Sequence, residues 1–253
     1  MAVVKTRELS GYLDDYLKIG QVPDSDQALN GLQVENGGEV RRVAAAVDAS
    51  ERTIRRAAEL GCDFLLVHHG LFWDGNIPAT GARYRKLKTL LDAGTALYGA
   101  HIPLDLHPEV GNNVVLAREL GLEIRGGFGQ YKGVEIGVWG DLELSREALT
   151  ARLDDVLGCR VKLIAGGPEL LHRVGIITGS GAAALPEAVA MGLDALITGE
   201  GNHHTYFAAE ESGINLYYGG HYATETWGVK ALAHHLQERF DLPWEFIDHP
   251  TGL

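Results

Sequence analysis

The chain has 253 residues, 45% of them hydrophobic and 22% charged, which suits one large α/β domain or two small lobes with a substantial core. Acidic side chains (34) outnumber basic ones (22), so the formal charge is −12, and a field of that sign repels phosphate backbones and sets nucleic acid aside as a partner. No apolar run approaches the ~18 residues of a membrane-spanning helix, so no membrane association is expected either.

The N-terminal MAVVKTRELSGYLDDYL lacks the apolar core of a signal peptide. Together with two distant cysteines, Cys62 and Cys159, read as buried small side chains in a reducing compartment, it predicts a cytoplasmic protein. Residues 41–47 (RRVAAAV) run from a basic pair into a small apolar strand, and ERTIRRAAEL supplies a helix that stops at Gly61. Phe64–Val67 is an unbroken apolar run, as a strand covered on both faces would be, and it ends in His68, His69 and Gly70. RYRKLK (83–88) enters the next helix; its four cations read as a solvated face, with an anion-attracting rim as the alternative. ALYG (96–99) is a strand leading to His101, Asp105 and His107, and NVVLAREL (113–120) is a helix. Between 121 and 171 lie strand material (VEIGVWG, 134–140), a helix over 145–158 with Ser145 as its N-cap, and a short strand, RVKLIAG. TGSGAAALPEA (178–188) falls short of a dinucleotide fingerprint and reads as a strand–helix connection with Pro186 in the helix's first turn. Next come a strand ending at Gly199-Glu200, the pair His203-His204 opening a helix, and His221 with Glu225. A last helix pattern, WGVKALAHHL (227–236), carries His234-His235.

Part of this order is used twice. Residues 41–70 and 172–200 share an Arg-Val strand start, an alanine-rich helix, a Gly-x-Asp turn (Gly61, Asp63; Gly192, Asp194) and a second apolar strand. ALYGAHIPLD (96–105) matches LYYGGHYATE (216–225), so His101 and Asp105 correspond to His221 and Glu225. The expected class is α/β: two interlocked, internally repeated lobes with mixed sheets covered by helices. His68 and His69 fall opposite Gly199 and Glu200, so the histidine pair belongs to one copy only, which argues against a packing role that both copies would need.

Three polar clusters therefore stand at strand ends: His68-His69, His101-x3-Asp105-x-His107 and His221-x3-Glu225. Such positions converge on the crevice at the carboxyl ends of an α/β sheet. Imidazole with carboxylate suits Zn, Fe, Mn, Co or Ni and disfavours copper(I). Five such ligands exceed the three that a catalytic zinc takes. Two divalent ions sharing a bridging carboxylate, able to activate a water between them, are the better count. His101 and Asp105 remain alternatives as ligand. His203 and His204 read either as a substrate-facing or supporting pair or as the polar opening of their helix.

The chain resembles the Nif-three-like family, whose members are also called GTP cyclohydrolase 1 type 2 homologues or dinuclear metal-centre hexameric proteins. NGLQVENGG (30–38), VHHGLFW (67–73), the block from Tyr84 to Leu122, TGEGNHH (198–204) and GGHYATE (219–225) carry the resemblance across essentially the whole chain. It implies a single domain, 1–253, made of two pseudo-repeat lobes (about 1–123 and 124–253). It also implies His68, His69, Asp105, His221 and Glu225 as ligands of two metal ions, with Glu225 bridging and His101 left to proton transfer. A toroidal homohexamer with inward-facing metal sites is implied as well. The activity implied is hydrolytic opening of a guanine ring, so the expectation is a metal-dependent hydrolase of a small nucleotide-like molecule. A non-catalytic metal-handling ring that assembles with partners is the alternative.

Overall fold

Apolar strand runs alternating with amphipathic helices set the order of elements in the computed structural model, which describes residues 2–73 and 75–253. The chain begins with β1 (Val4–Lys5), α1 (Thr6–Tyr16), β2 (Gly31–Val34), β3 (Glu39–Val40) and β4 (Val43–Asp48). It continues through α2 (Glu51–Glu59), β5 (Phe64–His69), α3 (Gly81–Ala93), β6 (Ala96–Gly99), α4 (Ile102–Asp105) and α5 (Asn112–Glu119). Next come β7 (Glu123–Tyr131), β8 (Val134–Ser145), α6 (Arg146–Leu157), β9 (Lys162–Ala165) and β10 (Leu170–Ile177). A 3-10 turn (Gly181–Ala184), α7 (Leu185–Ala190), β11 (Ala195–Thr198), α8 (His204–Ser212) and β12 (Asn215–Tyr218) follow. The chain ends with α9 (His221–Thr224), α10 (Thr226–Phe240) and β13 (Trp244–Phe246). No helix among the described residues is long and apolar enough to cross a membrane.

Two units form. One takes the residues up to Val110 with Gly228–His249, and the other takes Gly111–Trp227 with Pro250–Leu253. The first holds a five-stranded sheet, β13-β4-β5-β6-β2, parallel except for β2. Its strands alternate between two cores. Val43, Ala45, Phe64 and Leu66 pack with Leu9 and Leu13 of α1 and with Leu232 and Leu236 of α10. Ala44, Ala46, Leu65 and Val67 pack with Ile54 and Ala57 of α2 and Leu90 of α3. Helices thus cover both faces, as the continuous apolar runs require.

The second unit holds a six-stranded sheet, β7-β8-β10-β11-β12-β9, whose middle trio β10-β11-β12 is parallel. In each sheet the three consecutive parallel strands β4-β5-β6 or β10-β11-β12 are followed by an antiparallel strand: β2 beside β6, and β9 beside β12. The repeat is therefore visible in topology, and its turns are built alike. Asp63 Oδ2 accepts from the backbone N–H groups of Arg41 and Arg42, while Asp194 Oδ2 accepts from those of His172 and Arg173. Gly61 and Gly192 precede these aspartates at φ of 64° and 68°, where a side chain is strained.

Ser145 caps α6, accepting from the backbone N–H of Ala148, as expected from the sequence. The strand predicted over 134–140 is longer and has an antiparallel partner, β7, that glycine-rich EIRGGFGQY had concealed. Cys62 is buried, its thiol pushed up to about 11 chiefly by desolvation. Cys159 is exposed, contrary to the expectation that both cysteines are buried, because it lies in the segment that links α6 to β9.

Candidate metal centre

In the first unit the donors stand at the carboxyl ends of adjacent strands. β5 carries His68 and His69 past the last apolar residue, and the β4–β5 register places Asp48 directly opposite His69. The His69 Nδ1–H donates to Asp48 Oδ1 at 2.9 Å. His68, whose side chain is fully buried, donates from Nδ1 to the Ala100 carbonyl at 2.9 Å, so its Nε2 is the lone-pair nitrogen. Beyond β6, His101 is the N-cap residue of α4. Its Nδ1–H donates to Asp24 Oδ1 at 2.8 Å, and its backbone N–H donates to Asn30 Oδ1.

Burial alone would raise the pKa of Asp24, but His101, Asn30 and Ser25, which donate hydrogen bonds to it, outweigh burial and hold the carboxyl below its usual value. Trp73 meets His101 edge to face, centroids 4.7 Å apart. Together these contacts bring donor atoms of His68, His69 and His101 within 4.8 Å of one another. Asp105, at the end of α4, places Oδ2 3.6 Å from His68 Nε2. Both alternatives left open by spacing, His101 and Asp105, thus stand beside the histidine pair.

In the second unit His221 opens α9 and Glu225 is its C-cap residue, so one helical turn brings His221 Nε2 to 3.1 Å from Glu225 Oε2. His221 Nδ1 lies 2.8 Å from Glu200 Oε1. Held between two carboxylates, the His221 ring is raised to about 9; the hydrogen bond with Glu225 contributes most, and burial opposes it. Glu225 is 3% exposed. A Cβ on Gly179 would collide with Glu225 Oε1, so the glycine leaves this carboxylate its place.

The remaining candidates have other occupations. His107 accepts from the backbone N–H groups of Glu109 and Val110 and packs on Tyr16, and its burial lowers its basicity. His203 and His204 are exposed at the start of α8, with His203 edge-on to Phe207. His235 bonds Tyr12, and His234 lies near Glu238 on the solvent face of α10. In RYRKLK, Arg85 pairs with Glu51, Lys88 with Asp92, and Arg83 lies over Phe72, which fits a solvated face. Asp24, Asp48 and Glu200, which hold the rings of His101, His69 and His221, were not singled out as participants. Each belongs to a different strand end or loop, and no sequence spacing joins them to the histidines.

A family model described as Duf34/NIF3 (NGG1p interacting factor 3) matches residues 4–251. A Deinococcus radiodurans protein named "GTP cyclohydrolase 1 type 2 homolog" is 47% identical over 97% of this chain and 94% of its own length. A Pyrococcus horikoshii protein of the same name is 44% identical over 97% of this chain and 98% of its own. The crystal structure of TTHA1606 from Thermus thermophilus superposes with a TM-score of 0.90 at 46% identity, covering 99% of this chain and all of that one.

Proposed function

The chain belongs to the Duf34/NIF3 family, and from that footing we propose that it is a cytoplasmic, dinuclear metal-dependent hydrolase acting on a small nucleotide-like substrate. The observation that carries this reading is the shared orientation of four imidazoles. His68, His69, His101 and His221 each have Nδ1 engaged by a backbone carbonyl or a carboxylate. Metal-ligating histidines are held in this way, with the other nitrogen left for the ion or, at His101 in this reading, for proton transfer. The donor set of imidazole and carboxylate fits Zn, Fe, Mn, Co or Ni.

In this reading His68, His69, Asp105, His221 and Glu225 would hold two divalent ions. When bound, the ions would polarise the substrate and bring the acidity of water close to neutral pH. His101 is the catalytic proton carrier. Asp24 fixes its tautomer, Trp73 packs edge to face against its ring, and Nε2 takes the proton released by the attacking water and hands it to the leaving nitrogen as the C–N bond breaks. The other product takes the water's oxygen at the carbon. All 253 residues act as one functional domain of two pseudo-repeat lobes. A toroidal homohexamer is part of the proposal; the resemblance implies it, and exposed Tyr206 and Phe207 on α8 offer apolar contact surface for a homo-oligomer.

Elemental analysis of protein purified without chelator, followed by turnover of nucleotides and cyclic amides after Mn, Fe or Zn loading, tests the reading. About two ions per chain are expected, with both metal and turnover lost when His68 and Glu225 are replaced together by alanine. Turnover that survives this double replacement overturns the hydrolase. Firm metal binding with no turnover, and capture of partners only in the metal-loaded state, favours the metal-handling ring instead.

A further inference from the structure

Within the second unit, beyond β10 and β11, lies an open cleft of about 330 Å³. These strands are parallel neighbours in register from Val174 and Ala195 to Ile177 and Thr198. The cleft is lined by the segments that follow them, outside their carboxyl ends, where open α/β sheets place ligands. It adjoins the candidate donors of the same unit through Glu200, which lines it and also receives the His221 Nδ1–H. Ser180, another lining residue, follows the Gly179 whose missing side chain makes room for Glu225.

The lining specifies a kind of ligand. Among the described residues no lysine or arginine lines the cleft, and the carboxylate there is Glu200. A triphosphate would meet a negative charge and find no guanidinium or ammonium to pair with. Ala182, Leu185 and Pro186 supply apolar wall. The side chains of Asn202 and His204 also line the cleft, and among the described residues neither is hydrogen-bonded within the protein. A carboxamide offers a donor and an acceptor side by side, which complements the N–H and C=O edge of a cyclic amide, and an imidazole adds one more of either kind. The volume lies near the low end, roughly 300 Å³, of small-molecule sites and suits one ring system.

We propose that this cleft binds the ring of a neutral cyclic amide, a lactam or oxo-purine, through Asn202 and His204, so that the substrate is recognised by its ring and not by a phosphate chain. This rests on the hydrolase reading above and narrows its substrate class. Inosine and inosine triphosphate, titrated by ligand-observed NMR into the chelator-treated full chain, test it with no contribution from metal–phosphate contacts. Inosine should bind saturably, and the triphosphate should match it within about threefold. Asn202→Ala and His204→Ala should each weaken inosine about tenfold, the scale of one lost hydrogen bond in a site. Ala183→Trp, which fills the cleft from an exposed lining position, should abolish binding with no change in melting temperature. The proposal is overturned by a triphosphate at least tenfold tighter than inosine, by absence of saturable inosine binding, or by inosine affinity within twofold of the parent in all three variants. Metal content of the same preparations before chelation separates the two readings. Metal retained without inosine binding removes the cleft assignment alone, whereas inosine bound by a chain that never holds metal removes the hydrolase alone.

Discussion

His221 has a carboxylate at each ring nitrogen, Glu225 at Nε2 and Glu200 at Nδ1, and this pair of contacts raises it from 6.5 to about 9. In the metal-free protein its contribution to stability is fully present below about 6.5 and is lost as the pH rises through about 9. Metal binding has the opposite sign, because an ion at Nε2 must displace the proton that Glu225 favours there. Affinity for Zn or Mn should therefore climb by up to about tenfold per pH unit between 7 and 9 and then flatten, as read by chelator competition. Glu200→Gln should move the flattening to lower pH, since one of the two stabilising carboxylates is gone; an unchanged profile would show that Glu200 does not set the ring's acidity. The histidines themselves were recognisable in the sequence as candidate donors at strand ends. Asp24 and Asp48 were not, because an aspartate that orients a histidine has no spacing signature; only the register of β4 on β5 and the loop before β2 bring them to the rings.

Local chemistry decides where elements begin and stop. Ser145 takes the N-cap of α6 through its hydroxyl, so Ser145→Ala should cost about 1 kcal/mol in urea denaturation. Gly61→Ala should cost a similar amount, about 1 kcal/mol, for a different reason. The space around Gly61 is open, and the penalty comes from its φ of 64° alone. If Gly61→Asn restores part of that loss, backbone strain is the cause, since asparagine tolerates this conformation better than alanine. Both features were legible in advance because caps and Gly-x-Asp turns are made by neighbours in sequence. The β7 strand was not, since its glycines satisfy their partner strand by close packing, which a propensity reading scores against a strand.

At the scale of the whole chain, the return of residues 228–249 to the first unit is the feature with the largest consequence. Val229, Leu232, Leu236 and Leu242 are completely buried in the core that also contains Leu9, Leu13 and Phe64. Each contributes about 1.5–3 kcal/mol on burial, together comparable to the total stability of a typical domain. A chain ending at Trp227 should therefore fail to form the first unit, seen as loss of cooperative melting and of protection from proteolysis within residues 43–99. A cooperative transition of unchanged midpoint would show that α10 and β13 are dispensable.

The alternation of strands and helices within the two repeats, the repeat itself and the kinds of candidate donor at the strand ends were legible in sequence alone, because each depends on periodicity or on neighbours in the chain. Tertiary structure decided where each candidate donor stands, which carboxylate or carbonyl holds each imidazole, and into which core the last helix folds. Those choices depend on pairing register and on contacts between residues far apart in the chain: Asp24 meets His101 across 77 positions, and Arg42 meets Glu245 across 203. Side chains that distant in sequence have no fixed relation until the sheets form, and the physical chemistry of the site begins only when they do.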